Sequence, residues 1–119
     1  MSGWLTTHVL DTSLGRPAAG VLVTVARLDP DTGVVALLAE TVTNGDGRTD
    51  APLLEVGEFV AGQYEIVFSV GEYFGRSGAV VNDIPFLDRV PVRFGADGTE
   101  HLHVPLLVTP WSYSTYRGS

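Results

Sequence analysis

The chain has no cysteine, no lysine and a single methionine, and its apolar runs are all short. Without cysteine there is no disulfide framework, no thiolate nucleophile and no cysteine-type zinc site, and a reducing cytoplasm is the expected compartment. Without lysine there is no Schiff-base chemistry. All seven basic residues are arginine, a bias that coding composition explains without any function. No segment approaches the ~20 apolar residues of a membrane span, and the opening "MSGWLTTHVLDTS" lacks the basic stretch and apolar run of a secretory leader. Positive charge is also scarce: fourteen acidic residues against seven basic ones leave a formal charge of −7, which disfavours phosphate backbones and anionic lipid. Neither nucleic acid nor a membrane is an expected partner.

What is present reads as β structure. The 119 residues suit one domain with one hydrophobic core, spanning 1–119. Short runs rich in valine, leucine and threonine recur about every ten residues between Gly, Pro, Asn and Asp clusters, the pattern of a sandwich or barrel. Strands are expected at Leu5–Asp11, Gly20–Leu28, Val34–Thr43, Leu53–Glu55, Gln63–Ser69, Arg89–Phe94, His101–Val108 and Ser112–Tyr116. Only "GEYFGRSGA", Gly71–Ala79, suits a helix, and its glycines keep it short.

Side chains alternate across a strand, so each run separates into a core face and an outer face. In "HLHVPLLV" the core set is Leu102, Val104, Leu106 and Val108; His101, His103, Pro105 and Leu107 point outward. In "RVPVRF" Val90, Val92 and Phe94 face in, and in "QYEIVFS" Tyr64, Ile66 and Phe68 do. His8 is placed outward with Trp4, Thr6 and Leu10. An outer face mixing imidazoles with Pro105 and Leu107 suits an interface or a groove.

His8, His101 and His103 are the chain's only histidines. Imidazole titrates near 6.5 and serves as acid, base or metal ligand. The i, i+2 spacing of His101 and His103 puts both on one face, where they could chelate a metal with His8 as third ligand. Surface histidines, a metal site and acid/base work are all compatible with that pattern. "TNGDGRTD" imitates a calcium loop, with Asn44, Asp46 and Glu55 at the first, third and twelfth places, but Arg48 stands fifth and Thr49 replaces the sharp-turn glycine. The stretch is instead a tight turn through Gly45 and Gly47 that presents Arg48, whose planar fork can grip carbonyl oxygens or a developing oxyanion. No Gly-x-Ser-x-Gly elbow is present, so Ser119 is read as a hydrogen-bonding group and not as a nucleophile. The closing "WSYSTYRGS" carries Trp111, Tyr113, Tyr116 and Arg117, large side chains where a terminus would usually fray.

Four stretches in order, "LTTHVLDTSLGRPAAGV", "NGDGRTD", "HLHVPLL" and "YRGS", resemble the 5-hydroxyisourate hydrolase branch of the transthyretin-like family, over almost the whole chain. The resemblance implies an all-β fold: a two-sheet transthyretin-like (prealbumin-like) β-sandwich with one short helix. It implies hydrolysis of 5-hydroxyisourate to 2-oxo-4-hydroxy-4-carboxy-5-ureidoimidazoline in urate breakdown, without cofactor or metal. It also implies a homotetramer, a dimer of dimers, with sites where dimers meet and the aromatic tail ordered by burial between subunits. Carried over by position, it marks His8, Arg48, His103 and Ser119 as catalytic, with Tyr116 joining His8 and Arg48 in substrate binding. Arg117 and Gly118 support the tail, and His101 is a neighbour of the site. Which histidine is base and which acid stays open. A small-ligand carrier, a structural sandwich module and a metal hydrolase are the alternatives.

Overall fold

The computed structural model describes residues 2–79 and 81–119. Eleven strands and one helix follow in chain order: β1 (Gly3–Thr6), β2 (Val9–Asp11), β3 (Arg16–Pro17), β4 (Leu22–Asp29), β5 (Gly33–Val42), β6 (Leu54–Phe59), β7 (Gly62–Ser69), α1 (Val70–Arg76), β8 (Arg89–Ala96), β9 (His101–His103), β10 (Leu106–Val108) and β11 (Tyr113–Thr115). One layer is the antiparallel sheet β5-β4-β7-β8. The other is made of two pieces, β6-β1-β9 and β11-β10-β2-β3. Among the described residues, the layers share one core. Val23, Val25, Tyr64, Ile66, Phe68, Val90 and Val92 come from the first, and Leu5, Val9, Leu102, Leu106 and Val108 from the second. The expected inward sets lie in this core, Val104 included, with Phe94 packed partly buried at the margin. The fold is therefore the expected two-layer β-sandwich with one short helix.

Two expected strands are each interrupted. Leu5–Asp11 divides into β1 and β2, and His101–Val108 into β9 and β10. Pro105 has no N–H to give to a ladder. Beside it, the Val104 carbonyl accepts the buried Thr7 hydroxyl at 2.6 Å. The parallel pairing of the two stretches nevertheless carries across the seam, for the Val104 N–H donates to the Thr6 carbonyl (3.0 Å) and the Leu106 N–H to the His8 carbonyl (2.9 Å). His8 and His103 stand on either side of this seam.

Smaller departures have local causes. The two-residue β3 is too short to show a period, and β6 runs to Phe59, beyond the expected Glu55, because its N-terminal partner β1 reaches Gly3. The helix begins one residue early and stops at Arg76, short of Ala79. Val70, Tyr73 and Phe74 form its buried stripe, and the Tyr73 hydroxyl donates to the Asp11 carboxylate at 2.7 Å. That contact pins the helix to β2, the strand that follows His8.

Candidate functional site

His8 and His103 reach each other because β1–β2 and β9–β10 run parallel in register: Trp4 lies opposite His101, Leu5 opposite Leu102 and Thr6 opposite His103. Alternation turns Trp4, Thr6 and His8 to the same outer face as His101 and His103. There the side chains form a row. His8 Nδ1 is 2.6 Å from His103 Nε2, His103 Nδ1 is 2.7 Å from the Thr6 hydroxyl, and that hydroxyl is 2.6 Å from His101 Nε2. The His8 and His103 rings stack at 4.8 Å between centroids, and His101 stacks on Trp4 at 4.6 Å with the planes 4° apart.

Arg48 comes to the row through its turn. Asn44 organises that turn, its side-chain oxygen accepting the N–H groups of Asp46 and Arg48 while its carbonyl accepts the Gly47 N–H. The turn docks on β2, with the Val9 N–H donating to the Gly47 carbonyl at 2.8 Å, so that Arg48 pairs with His8 in an antiparallel bridge. Gly47 has φ +75°, and a Cβ there would lie 2.4 Å from the Val9 carbonyl oxygen. Only glycine combines that conformation with that approach.

The tail closes the other flank. β11 pairs with β10, and beyond it Gly118 and His103 exchange two backbone hydrogen bonds (2.8 and 3.2 Å). A Cβ on Gly118 would sit 3.2 Å from both the His103 Cβ and its carbonyl oxygen, so the backbone runs against the imidazole. Ser119 follows directly. The tail is thus anchored within its own chain, while Trp111, Tyr113 and Tyr116 remain about half exposed.

The sequence puts His103 on a half-apolar outer face. It keeps that face but is only 9% exposed, covered by Thr6, His8 and Gly118. Burial pushes its pKa down to about 4, helped by the charges of His8, Arg48 and His101. Burial also lowers His8 below its usual value, with Arg48 adding to the effect. Both rings are therefore held neutral near pH 7, and a neutral imidazole can accept a proton. As for chelation, the facing nitrogens of His8 and His103 meet each other in a hydrogen bond instead of converging on a third point.

His8, Arg48, His103 and Gly118 are thus gathered by strand register and two isolated bridges, with Ser119 next in the chain. Tyr116 and Arg117 border a different feature, a groove of about 210 Å³ lined also by Val92, Phe94, Leu102 and Val104. Arg117 lies 3.5 Å from Glu100 in an exposed ion pair. Thr6 and Asn44 were missed as members of the site. Thr6 could have been found from its place two residues before His8, on the outward side; Asn44 carries the turn signal "NG".

Comparison with known proteins identifies the family and the fold. A sequence model of the HIUase/Transthyretin family matches residues 5–118. A 5-hydroxyisourate hydrolase of Halalkalibacterium halodurans is 57% identical over 120 residues, covering all of both chains. Among solved structures, the Klebsiella pneumoniae 5-hydroxyisourate hydrolase aligns over all of both chains with a TM-score of 0.79 and 37% identity. An (S)-allantoin synthase superposes with a TM-score of 0.91 and 52% identity over 98% of this chain, which spans 44% of that longer protein.

Proposed function

The chain belongs to the HIUase/transthyretin family, and from that premise we propose that it is an enzyme that hydrolyses 5-hydroxyisourate in urate breakdown. The observation that carries this reading is the His8–His103 hydrogen bond of 2.6 Å beside the Arg48 bridge. A carrier needs no such pair. Relatives named 5-hydroxyisourate hydrolase align with this chain over its full length.

The reaction adds water across a cyclic amide C–N bond. The water oxygen bonds to the carbonyl carbon, one water proton leaves to a base, and a proton returns to the departing ring nitrogen; the product is 2-oxo-4-hydroxy-4-carboxy-5-ureidoimidazoline. His8 and His103, neutral near pH 7, take the water proton and supply the proton to nitrogen. Arg48 holds ring carbonyls and stabilises the oxyanion with its fork of donors. Ser119, placed by the Gly118 bridge, positions water or substrate, and Tyr116 with Arg117 steadies the tail. Water and protons suffice, so no cofactor or metal enters.

In a single chain the histidine row lies on an outer sheet face, and the tail aromatics Trp111, Tyr113 and Tyr116 are exposed. That placement supports a homotetramer, a dimer of dimers, in which a second copy walls the site and covers the tail. The cysteine-free composition accords with a reducing cytoplasm. The test is to generate fresh 5-hydroxyisourate with a urate oxidase and follow its ultraviolet decay. Added protein should speed the decay and His103→Ala should not; decay at the spontaneous rate with intact protein would overturn the proposal.

A further inference from the structure

We infer that the Thr6 hydroxyl joins the three imidazoles into one proton wire, entered at His8 Nε2 and left at His101 Nδ1. The inference rests on the hydrolytic reading above for its substrate, and on hydrogen-bond accounting for the rest.

Thr6 has one O–H proton but two imidazole neighbours, His103 Nδ1 at 2.7 Å and His101 Nε2 at 2.6 Å. A hydroxyl donates once. When it donates to His101, it must accept from His103 Nδ1–H. Neutral His103 then has a bare Nε2, which accepts from His8 Nδ1–H, and His8 presents a bare Nε2: a base. When the hydroxyl instead donates to His103 Nδ1, His103 carries its proton on Nε2 and donates to His8 Nδ1. His8 then presents Nε2–H, an acid, and His101 donates Nε2–H to Thr6. Every ring is neutral in both states, and the proton count is the same.

Passing from the first state to the second takes one proton in at His8 Nε2 and shifts one proton across each of three short contacts. One proton then leaves His101 Nδ1. No bond other than N–H and O–H changes, so the step balances without a co-reactant. Neither His8 Nε2 nor His101 Nδ1 is engaged by a hydrogen bond among the described residues. The Trp4 stack holds the outer ring in line. The charged groups bordering the row are Arg48 on its turn and the Glu100–Arg117 pair beside His101 and Gly118.

The wire would let His8 act as base in attack and as acid in ring opening within one turnover, with the buried His103 never carrying a lasting charge. Thr6 and His101 are positioning residues, since neither needs to touch substrate.

The test compares Thr6→Val, which keeps the shape and loses the hydroxyl, with Thr6→Ser, which keeps the hydroxyl. Acid/base catalysis is worth about 10²–10⁴-fold, and Thr6→Val should lose at least about tenfold of kcat with KM within about twofold. Thr6→Ser should restore most of it, and the solvent isotope effect on kcat should shrink in the Val variant. Side-chain nitrogen NMR of the intact protein gives a readout apart from turnover. His8 and His103 should carry their protons on like nitrogens, both Nδ1 or both Nε2, and Thr6→Val should uncouple them. Equal kcat in Thr6→Val and the parent, equal losses in Ser and Val, or unlike tautomers in the parent would each overturn the wire. Like tautomers in a parent that does not speed 5-hydroxyisourate decay would support the wire and sink the substrate reading.

Discussion

His8 Nδ1 and His103 Nε2, 95 residues apart in sequence, lie 2.6 Å apart on the outer face of one sheet, each ring stacked on the other. At that distance one proton serves both nitrogens, so the two rings share a protonation pattern. Removing either should therefore damage the same step.

His8→Asn and His103→Asn should each lower kcat/KM for 5-hydroxyisourate by about 10²–10⁴-fold, and the double variant by little more than the worse single one. Steady-state rates of the three variants check this. Losses that simply multiply would separate the two rings.

Arg48→Lys should lose nearly as much as Arg48→Ala, about 10²–10³-fold in kcat, because a point charge does not replace a planar fork of donors. Arg48 is exposed on its turn, so both variants should unfold at the parent's denaturant concentration. A Lys variant of near-parental activity would demote Arg48 to a bystander.

Gly47→Ala asks for a left-handed backbone from a residue with a Cβ and drives that Cβ against the Val9 carbonyl. It should cost about 1–3 kcal/mol of stability and displace Arg48 from His8. Urea unfolding together with kcat would show both effects; loss of stability alone, with full activity, would mean the turn does not place the arginine.

The histidines make stability depend on pH in a defined window. His103 has a folded-state pKa of about 4 against an ordinary 6.5, so between those values the unfolded chain holds more protons at this position. Stability should then fall as pH drops from 6.5 to about 4, with His8 acting in the same direction. Asp11 acts elsewhere: burial raises its pKa, but hydrogen bonds from Ser13, Tyr73 and Leu14 outweigh that, so its contribution is lost only below 3.8. Denaturation midpoints of His103→Gln should flatten in the upper window alone. The acid limb of kcat/KM should likewise lie below 6.5.

Deleting Tyr116 to Ser119 removes the Gly118–His103 bridge and leaves β11 paired with β10. The shortened protein should keep its far-ultraviolet spectrum and lose about 10²-fold or more in turnover, the cost of a misplaced group. Full activity in a folded truncation would take the tail out of the site.

The inner face of three strands was legible without any structure, although Pro105, read as outward, is buried. Val90, Val92, Leu102, Val104, Leu106 and Val108 declare themselves by a period of two, and that period is a local property of an extended backbone. The residues that resemble the hydrolase branch, His8, Arg48, His103 and the "YRGS" end, were readable for the same reason: each lies within a short local pattern. What only tertiary structure decided is the meeting of those patterns. The breaks at Thr7 and Pro105, the burial of His103 under Thr6 and Gly118, and the alignment of Thr6 between two imidazoles all depend on pairing segments nearly a hundred residues apart. No local periodicity encodes that register, because it is chosen by which layers bury the most apolar surface together.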